Sequence, residues 1–366
     1  MKKLIAFFVV AACLGGLAAS GLNKADKVAP GTKSEPIRIV QVSGDGADLG
    51  KGHGTELADS IKLLHEKYLK VWFKKEETRK RALMAAFMFR AQLSPEHKAE
   101  IGGLAEATGL DPGDVMLGNC FLDLVPMTAC STVTLPASAA PDGVARFGRN
   151  LDFPALNIAD KHSVLMIVKP KDKYAFAAVS WPGLIGVLSG MNEHGLAVAN
   201  MEVTRPQGVP QAMPYILLYR SVLEQCRTAD EAIEFLKNTP RQTANNLMIM
   251  DAAGNRVVAE ITPEGVTVRK SANDAALLST NHHRGEDLDS AGKCDRYDAL
   301  HAATKSQYGK IGVPEIWGML DRVSQGKMTL QSMIFEPSTR VMYLAVGSEA
   351  SKRQYERIDL KEYFRK

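Results

Sequence analysis

The chain has 366 residues, 45% of them apolar and 23% charged, with a formal net charge of +4. That composition is ordinary for a globular protein and leaves material for a sizeable core. Lys and Arg are dispersed, without a long basic run or interleaved aromatics, which excludes the footprint of a nucleic-acid binder.

Lys2 and Lys3 precede the apolar run Leu4 to Leu17, and the small residues Ala18, Ala19 and Ser20 follow. A short positive region, a short apolar region and a small-residue exit predict a secretory signal over residues 1–20. The run is too short and too interrupted by Gly15 and Gly16 for a membrane span. The expectation is a periplasmic or secreted product. Val10-Ala11-Ala12-Cys13 also looks like a lipoprotein processing site, so anchoring to a membrane through a lipid on Cys13 is the alternative. The five cysteines, at 13, 120, 130, 226 and 294, form no CxxC pair and have no zinc-site spacing. Export permits a disulfide, but the sequence selects no pair.

Residues 21–36, rich in Gly, Pro, Ser and Lys, read as a linker. A helical segment is expected over residues 37–129, where Leu57, Ile61, Leu64, Tyr68 and Trp72 mark one face at helical spacing. Ser94-Pro95 and Asp111-Pro112 are helix starts, each a polar cap with Pro at the first helical position. Gly109 suits the helix end between them. At Cys130 the pattern changes to strand-like runs: 131–135, 144–150, 163–168, 174–181, 184–191 and 196–203, separated by turns such as Asp142-Gly143. A helical block follows over 214–238, with Thr228 and Glu231 forming a capping box for its second helix. Strands return at 247–250, 256–261, 266–269 and 277–280. Helices near 295–304 and 314–323 precede strands 332–335 and 341–346. This order predicts an α+β domain over 130–366, two antiparallel sheets with helices outside, preceded by the helical segment.

Cys130, after the small residues Thr128 and Ala129 at the head of the first strand, is placed to attack its own preceding carbonyl. Hydrolysis after such an N-to-S shift would leave Cys130 with a free α-amine whose ordinary pKa lies near roughly 8. Nucleophile and base would then belong to one residue. Taken alone, Cys130 reads more readily as a small buried apolar residue. Its neighbour segment is Phe147-Gly148-Arg149-Asn150-Leu151-Asp152-Phe153. Here the chain resembles the N-terminal-nucleophile cysteine hydrolases, which include choloylglycine hydrolases, penicillin V acylase and the acyl-coenzyme A:6-aminopenicillanate acyltransferase-like family. The resemblance implies the four-layer αββα Ntn-hydrolase sandwich preceded by a helical pro-segment. It also implies that Arg149 steadies the thiolate and Asp152 holds the α-amine, in keeping with a cation lowering a thiol pKa and a carboxylate orienting an ammonium.

Other segments extend the likeness. Met191-Asn192-Glu193-His194-Gly195-Leu196-Ala197-Val198-Ala199-Asn200 resembles the hairpin before the oxyanion-hole Asn, although a bile-salt-hydrolase-like register would set that Asn where Glu202 stands. Asn200 shares a strand face with Glu202 and takes the oxyanion role; His194 in the turn is read as conformational. Ser279-Thr280-Asn281-His282-His283 resembles the family's Thr-Asn segment, which gives Asn281 a part in holding the oxyanion or the amine. The segment around Lys293-Cys294-Asp295-Arg296-Tyr297 makes Arg296 the distal supporting arginine, or else a solvated helix charge. Gly50-Lys51-Gly52-His53-Gly54 resembles the entry of the acyltransferase-like branch.

The expected activity is acyl transfer from an amide, through a thioester on Cys130, to water or to an amine. The expected partners are a small-molecule amide or acyl donor and, after cleavage, the small chain (37–129) and the large chain (130–366) with each other. No metal or organic cofactor is called for, and adjacent His282 and His283 on an extended chain point apart, which argues against a metal site. An unprocessed exported cysteine peptidase with His282 or His283 as base, and a non-catalytic exported binding protein on the same fold, stand as alternatives. Trp72, Phe73 and Trp181 are candidates to line an apolar pocket or to fill the core.

Overall fold

Residues 38–44, Arg-Ile-Val-Gln-Val-Ser-Gly, alternate in burial with Val40 and Val42 inward, the pattern of a strand. In the computed structural model they form strand β1 (Arg38–Gly44), so the segment expected to be helical opens with a strand. The structure describes residues 32, 34–125, 129–203, 210–271, 274–285 and 292–365. The signal, Cys13, most of the linker and Thr128 of the expected cut lie outside the described residues.

Helix α1 (Gly46–Leu63) starts at a capping box between Asp45 and Asp48, and runs on through a π-helical stretch, Leu64–Leu69, into α2 (Lys70–Trp72). Helices α3 (Glu76–Ala91), α4 (Pro95–Thr108) and α5 (Pro112–Leu124) follow. Ser94 accepts the His97 N–H and Asp111 the Gly113 N–H, while Gly109 takes a left-handed φ of 69°, so these helix ends form as the sequence indicates. Helix α1 lies unusually close on α4. A Cβ at Gly50 would stand 2.1 Å from the Glu100 carbonyl oxygen, and one at Gly54 would stand 2.6 Å from the Ala107 Cβ. The glycines flanking His53 thus serve this close approach.

Strands β2 (Ala129–Leu135), β3 (Arg146–Asp152), β4 (Val164–Pro170), β5 (Phe176–Ser180), β6 (Ser189–Asn192) and β7 (Ala197–Glu202) come next. Helices α6 (Tyr215–Gln225) and α7 (Ala229–Asn238) precede β8 (Asn245–Met250), β9 (Arg256–Ile261), β10 (Val266–Lys270) and β11 (Leu277–Ser279). The chain ends through α8 (Asp295–Ser306), α9 (Val313–Arg322), β12 (Thr329–Glu336), β13 (Val341–Val346), β14 (Glu356–Asp359) and α10 (Lys361–Phe364).

The strands make an eight-stranded sheet, ordered β1-β4-β5-β6-β7-β8-β9-β10, and a six-stranded sheet, ordered β11-β2-β3-β12-β13-β14. Every named pairing is antiparallel except β1 with β4, which is parallel. Helices α6 and α7 cover the first sheet, α8 and α9 cover the second, and β2 faces β7 between them. This is the αββα sandwich, with apolar residues such as Leu151, Phe147 and Met248 filling the space between sheets. Gly148 lets α9 settle on β3, since a Cβ there would stand 2.6 Å from the Ile316 Cγ2.

Candidate active site

Cys130 stands at the second position of β2, 1% exposed. The β2–β3 register sets it opposite Leu151, with Asp152 opposite Ala129 and Arg149 opposite Thr132. Because opposed residues of an antiparallel pair share a face and side chains alternate, Arg149 and Cys130 both project into the space between the sheets. There the Arg149 Nε donates to Ser189 Oγ of the other sheet at 3.1 Å, and its Nη1 donates to the Asn150 carbonyl at 2.8 Å. Arg149 is fully buried. Burial pushes the Cys130 thiol pKa up; the Arg149 cation and hydrogen bond pull it down, while the Asp152 charge opposes them, and the balance lies above the ordinary value.

Asp152 closes β3 where the pairing with β12 shifts between Thr329 and Gln331. The Thr329 hydroxyl donates to its Oδ1, and its Oδ2 has no hydrogen-bond partner. Burial lifts its carboxyl from 3.8 to about 6, against the pull of the Thr329 hydrogen bond and of Arg296 and Arg149.

Asn281 and Arg296 reach the same point from the far end of the chain. The Cys130 main-chain N–H donates to Asn281 Oδ1 at 2.7 Å, and Arg296 Nη2 donates to that same oxygen at 3.0 Å. Arg296 Nη1 also donates to the Cys130 carbonyl. The Asn281 Nδ2 donates to the Glu202 carbonyl at 2.8 Å, which ties the exit of β11 to the end of β7. Asn246 holds this turn from below, its Nδ2 donating to the carbonyls of Thr280 and His282 at 2.9 and 2.8 Å. Arg296 is therefore a buried-side network residue and not a solvated helix charge.

Asn200, on β7, is fully buried, and neither atom of its carboxamide has a hydrogen-bond partner. Its main-chain N–H donates to the Leu188 carbonyl at 2.9 Å. Ala199 is the residue opposite Ser189 and so faces Cys130 and Arg149; alternation turns the Asn200 side chain to the other face of the sheet, toward α6, and the structure does not bring it to the thiol. Of the two paired histidines, His283 is buried with Nε2 3.4 Å from the Asn245 carbonyl, and His282 is depressed by burial and by Arg284 and Arg296. His194 stacks edge-on against Tyr174 in its turn.

Sequence reading did not find Ser189 and Thr329, which hold Arg149 and Asp152, nor the pair Asp123 and Tyr215. The Tyr215 N–H donates to Asp123 Oδ1 at 3.4 Å, and burial holds both side chains well above their ordinary values, with the Glu202 charge adding to each. Asn119 and Asp123 stand four apart on the apolar face of α5, a signal that was available.

Beside the site lies a cavity of about 120 Å³, lined by Leu64, His65 and Tyr68 of the π-helical stretch, Asp114 and Phe121 of α5, and Trp181. Phe153 and Leu188, neighbours of Asp152 and Ser189, close its near end. Trp72 and Phe73 are not on its wall but pack against Phe121. The free cysteines Cys120, Cys226 and Cys294 are buried elsewhere.

The family model described as acyl-coenzyme A:6-aminopenicillanic acid acyl-transferase matches residues 139–351, which hold Arg149, Asp152, Asn200, Asn281 and Arg296. Two proteins of Dictyostelium discoideum are similar in sequence. Protein dcd1B is 24% identical over 240 residues, 58% of this chain and 48% of its own length. Protein dcd1A is 22% identical over 297 residues, 72% of this chain and 66% of its own. The chain thus spans about half to two thirds of these relatives. Among solved structures, a Caenorhabditis elegans N-acylethanolamine-hydrolyzing acid amidase ortholog aligns with a TM-score of 0.49 at 16% identity, over 63% of this chain and 100% of that one. The conjugated bile acid hydrolase of Clostridium perfringens aligns at 0.47 and 18% identity, over 64% and 93%.

Proposed function

Because the chain belongs to the acyl-coenzyme A:6-aminopenicillanic acid acyl-transferase family, we propose that it cuts itself before Cys130 and then cleaves amide bonds through a thioester on that residue. The observation that carries this reading is the convergence on Cys130. Its N–H and carbonyl are held by Asn281 and Arg296, and Arg149 and Asp152 act on its thiol.

In the first step the Cys130 Sγ attacks the Ala129 carbonyl, the C–N bond breaks, and the thiol proton passes to the departing nitrogen, which becomes the α-amine. Water then hydrolyses the thioester and frees the residue. In turnover the amine takes the thiol proton, and the thiolate, steadied by Arg149, attacks the substrate carbonyl. The ammonium, held by Asp152 and Asn281 Oδ1, returns its proton to the leaving amine. Water or a second amine then takes the acyl group from sulfur. The apolar cavity beside the site suits an apolar acyl group. We further propose export directed by Lys2–Ser20, to be checked by N-terminal sequencing of the mature protein.

Intact-mass analysis of purified protein tests the mechanism. Two fragments are expected, the larger beginning at Cys130, while Cys130→Ala stays single and inactive. An intact wild-type chain that turns over N-acyl amines would remove the α-amine as base. An intact, inactive chain would favour a binding protein on the same fold. Cleavage of Cys130→Ala would assign the cut to an outside protease.

A further inference from the structure

Resting on the amide-acyl reading above, we infer that the cavity receives the acyl chain of the substrate and that His65, at its far end, binds a hydroxyl at that chain's terminus. Helix α5 walls the cavity from Asp114 to Leu122, eight residues and about 12 Å of helix at 1.5 Å per residue. At the near end, Phe153 follows Asp152, and the Leu188 carbonyl takes the Asn200 N–H. A chain esterified to Cys130 would run from these residues toward Asp114. The volume is comparable to engineered apolar cavities that admit a ring-sized ligand, so a ring or a medium-length chain is the fit.

The wall is apolar except at its far end. His65 is 7% exposed, and neither of its ring nitrogens makes a hydrogen bond. The nearest carboxylates stand 3.6 Å from Nε2 (Asp114) and 3.8 Å from Nδ1 (Glu66), and Asp114 is taken up by Arg79 at 2.5 Å. A buried imidazole whose nitrogens have only these longer carboxylate contacts has hydrogen bonds left to make, which a ligand could complete. It sits on the π-helical stretch, a rare geometry that concentrates at functional sites. Three residues on, Tyr68 uses its hydroxyl on the Pro154 carbonyl at 2.7 Å, so His65 alone of the two offers hydrogen-bonding capacity to an occupant.

The surroundings select the group. An imidazole nitrogen can face an occupant as a donor or as an acceptor, and a hydroxyl answers either. A terminal carboxylate would stand beside Asp114 and Glu66, whose carboxylates already occupy Arg79 and Lys70, and would find no cation of its own. A terminal ammonium would find Asp114 already paired and Arg79 close by. A plain methyl would leave His65 unmet.

The test uses p-nitroanilides of plain and terminally hydroxylated straight-chain acids of six, eight and ten carbons. At the best chain length, the wild type should show kcat/KM about ten-fold higher for the hydroxy chain. His65→Phe should bring that ratio near one, and His65→Gln, which keeps a donor and an acceptor, should restore part of it. No preference at any length, or a preference that His65→Phe retains, overturns the subsite while leaving amide cleavage standing. If no anilide is turned over, calorimetry on Cys130→Ala with the same compounds decides. Tighter binding of the hydroxy chain that His65→Phe abolishes supports the subsite although amide cleavage has failed, and equal or absent binding overturns it.

Discussion

Asn119 grips Gly183 from across the expected cut: its Nδ2 donates to the Gly183 carbonyl at 2.9 Å, while its Oδ1 takes the N–H of Ile185 at 2.8 Å. The Gly183 N–H in turn donates to His53 Nε2 at 3.0 Å. Two residues of the N-terminal segment therefore hold the loop that delivers Leu188 to Asn200 and Ser189 to Arg149. Asn119→Ala would leave the half-buried Gly183 carbonyl and the buried Ile185 N–H without this partner. A loss on the order of 2 kcal/mol in urea unfolding is expected, together with a fall in kcat.

The same loop makes stability depend on His53. Burial, with the Arg220 charge, lowers its pKa from 6.5 to about 4, which keeps Nε2 an acceptor. A depressed folded value means that the contribution is present above pH 6.5 and is lost as pH falls through about 4. The melting temperature should drop across that window, and less steeply in His53→Gln.

Asp152 has the opposite sign. Its carboxyl is lifted from 3.8 to about 6, so its contribution is complete below pH 3.8 and is lost as pH rises through about 6. In a Cys130→Ala background, where no α-amine is freed, Asp152→Asn should be more stable at pH 8, by on the order of 3 kcal/mol. The difference should vanish below pH 4. With Cys130 present, Asp152→Asn should lose turnover in spite of that added stability.

Asn200→Ala removes a buried carboxamide that nothing in the resting site satisfies. Its melting temperature should hold or rise. Turnover of an N-acyl amine should hold, because the side chain faces α6, and a fall of about 10²–10³ in kcat would give Asn200 the oxyanion role instead. A loss of stability with full turnover would make it a packing residue.

Arg149 opposes the upward push of burial on the Cys130 thiol. In Arg149→Gln the pH midpoint for alkylation of Cys130 by iodoacetamide should move upward. An unchanged midpoint would leave Arg149 as a link between the two sheets through Ser189.

Local signals carried much of this architecture. Strands 256–261 and 341–346 form at the bounds their sequence indicates, and Thr228 caps α7 by accepting the Glu231 N–H. The Glu231 side chain reaches the N–H of Arg227 in place of Thr228, one residue short of a full capping box. The run 184–191 reads as a strand, yet only Ser189 onward pairs. Its first half is bent by Pro182 and by Gly183 at φ 89° and held by Asn119 and His53, which are distant in sequence. Strand β1 was hidden because its partner β4 lies over 100 residues later, and parallel pairing leaves no turn between them to read. At the site, Cys130, Arg149 and Asp152 lie on adjacent strands and were legible as a motif. Asn281 and Arg296 were reached only through family likeness, and Ser189, Thr329 and His65 became visible only as contacts.

The parallel pairing of β1 with β4 bears on what a cut before Cys130 would leave behind. All seven residues Arg38–Gly44 lie on the N-terminal side of that cut, matched one to one with Val164–Pro170. Neither fragment would then own the complete sheet. Release of the smaller one would uncover the main-chain donors and acceptors that β4 turns toward β1 along Val164–Pro170, a template for pairing with other chains. A severed N-terminal fragment would go on working as an edge guard, and conditions that strip it away should end in aggregated large fragment before they yield a free, folded one.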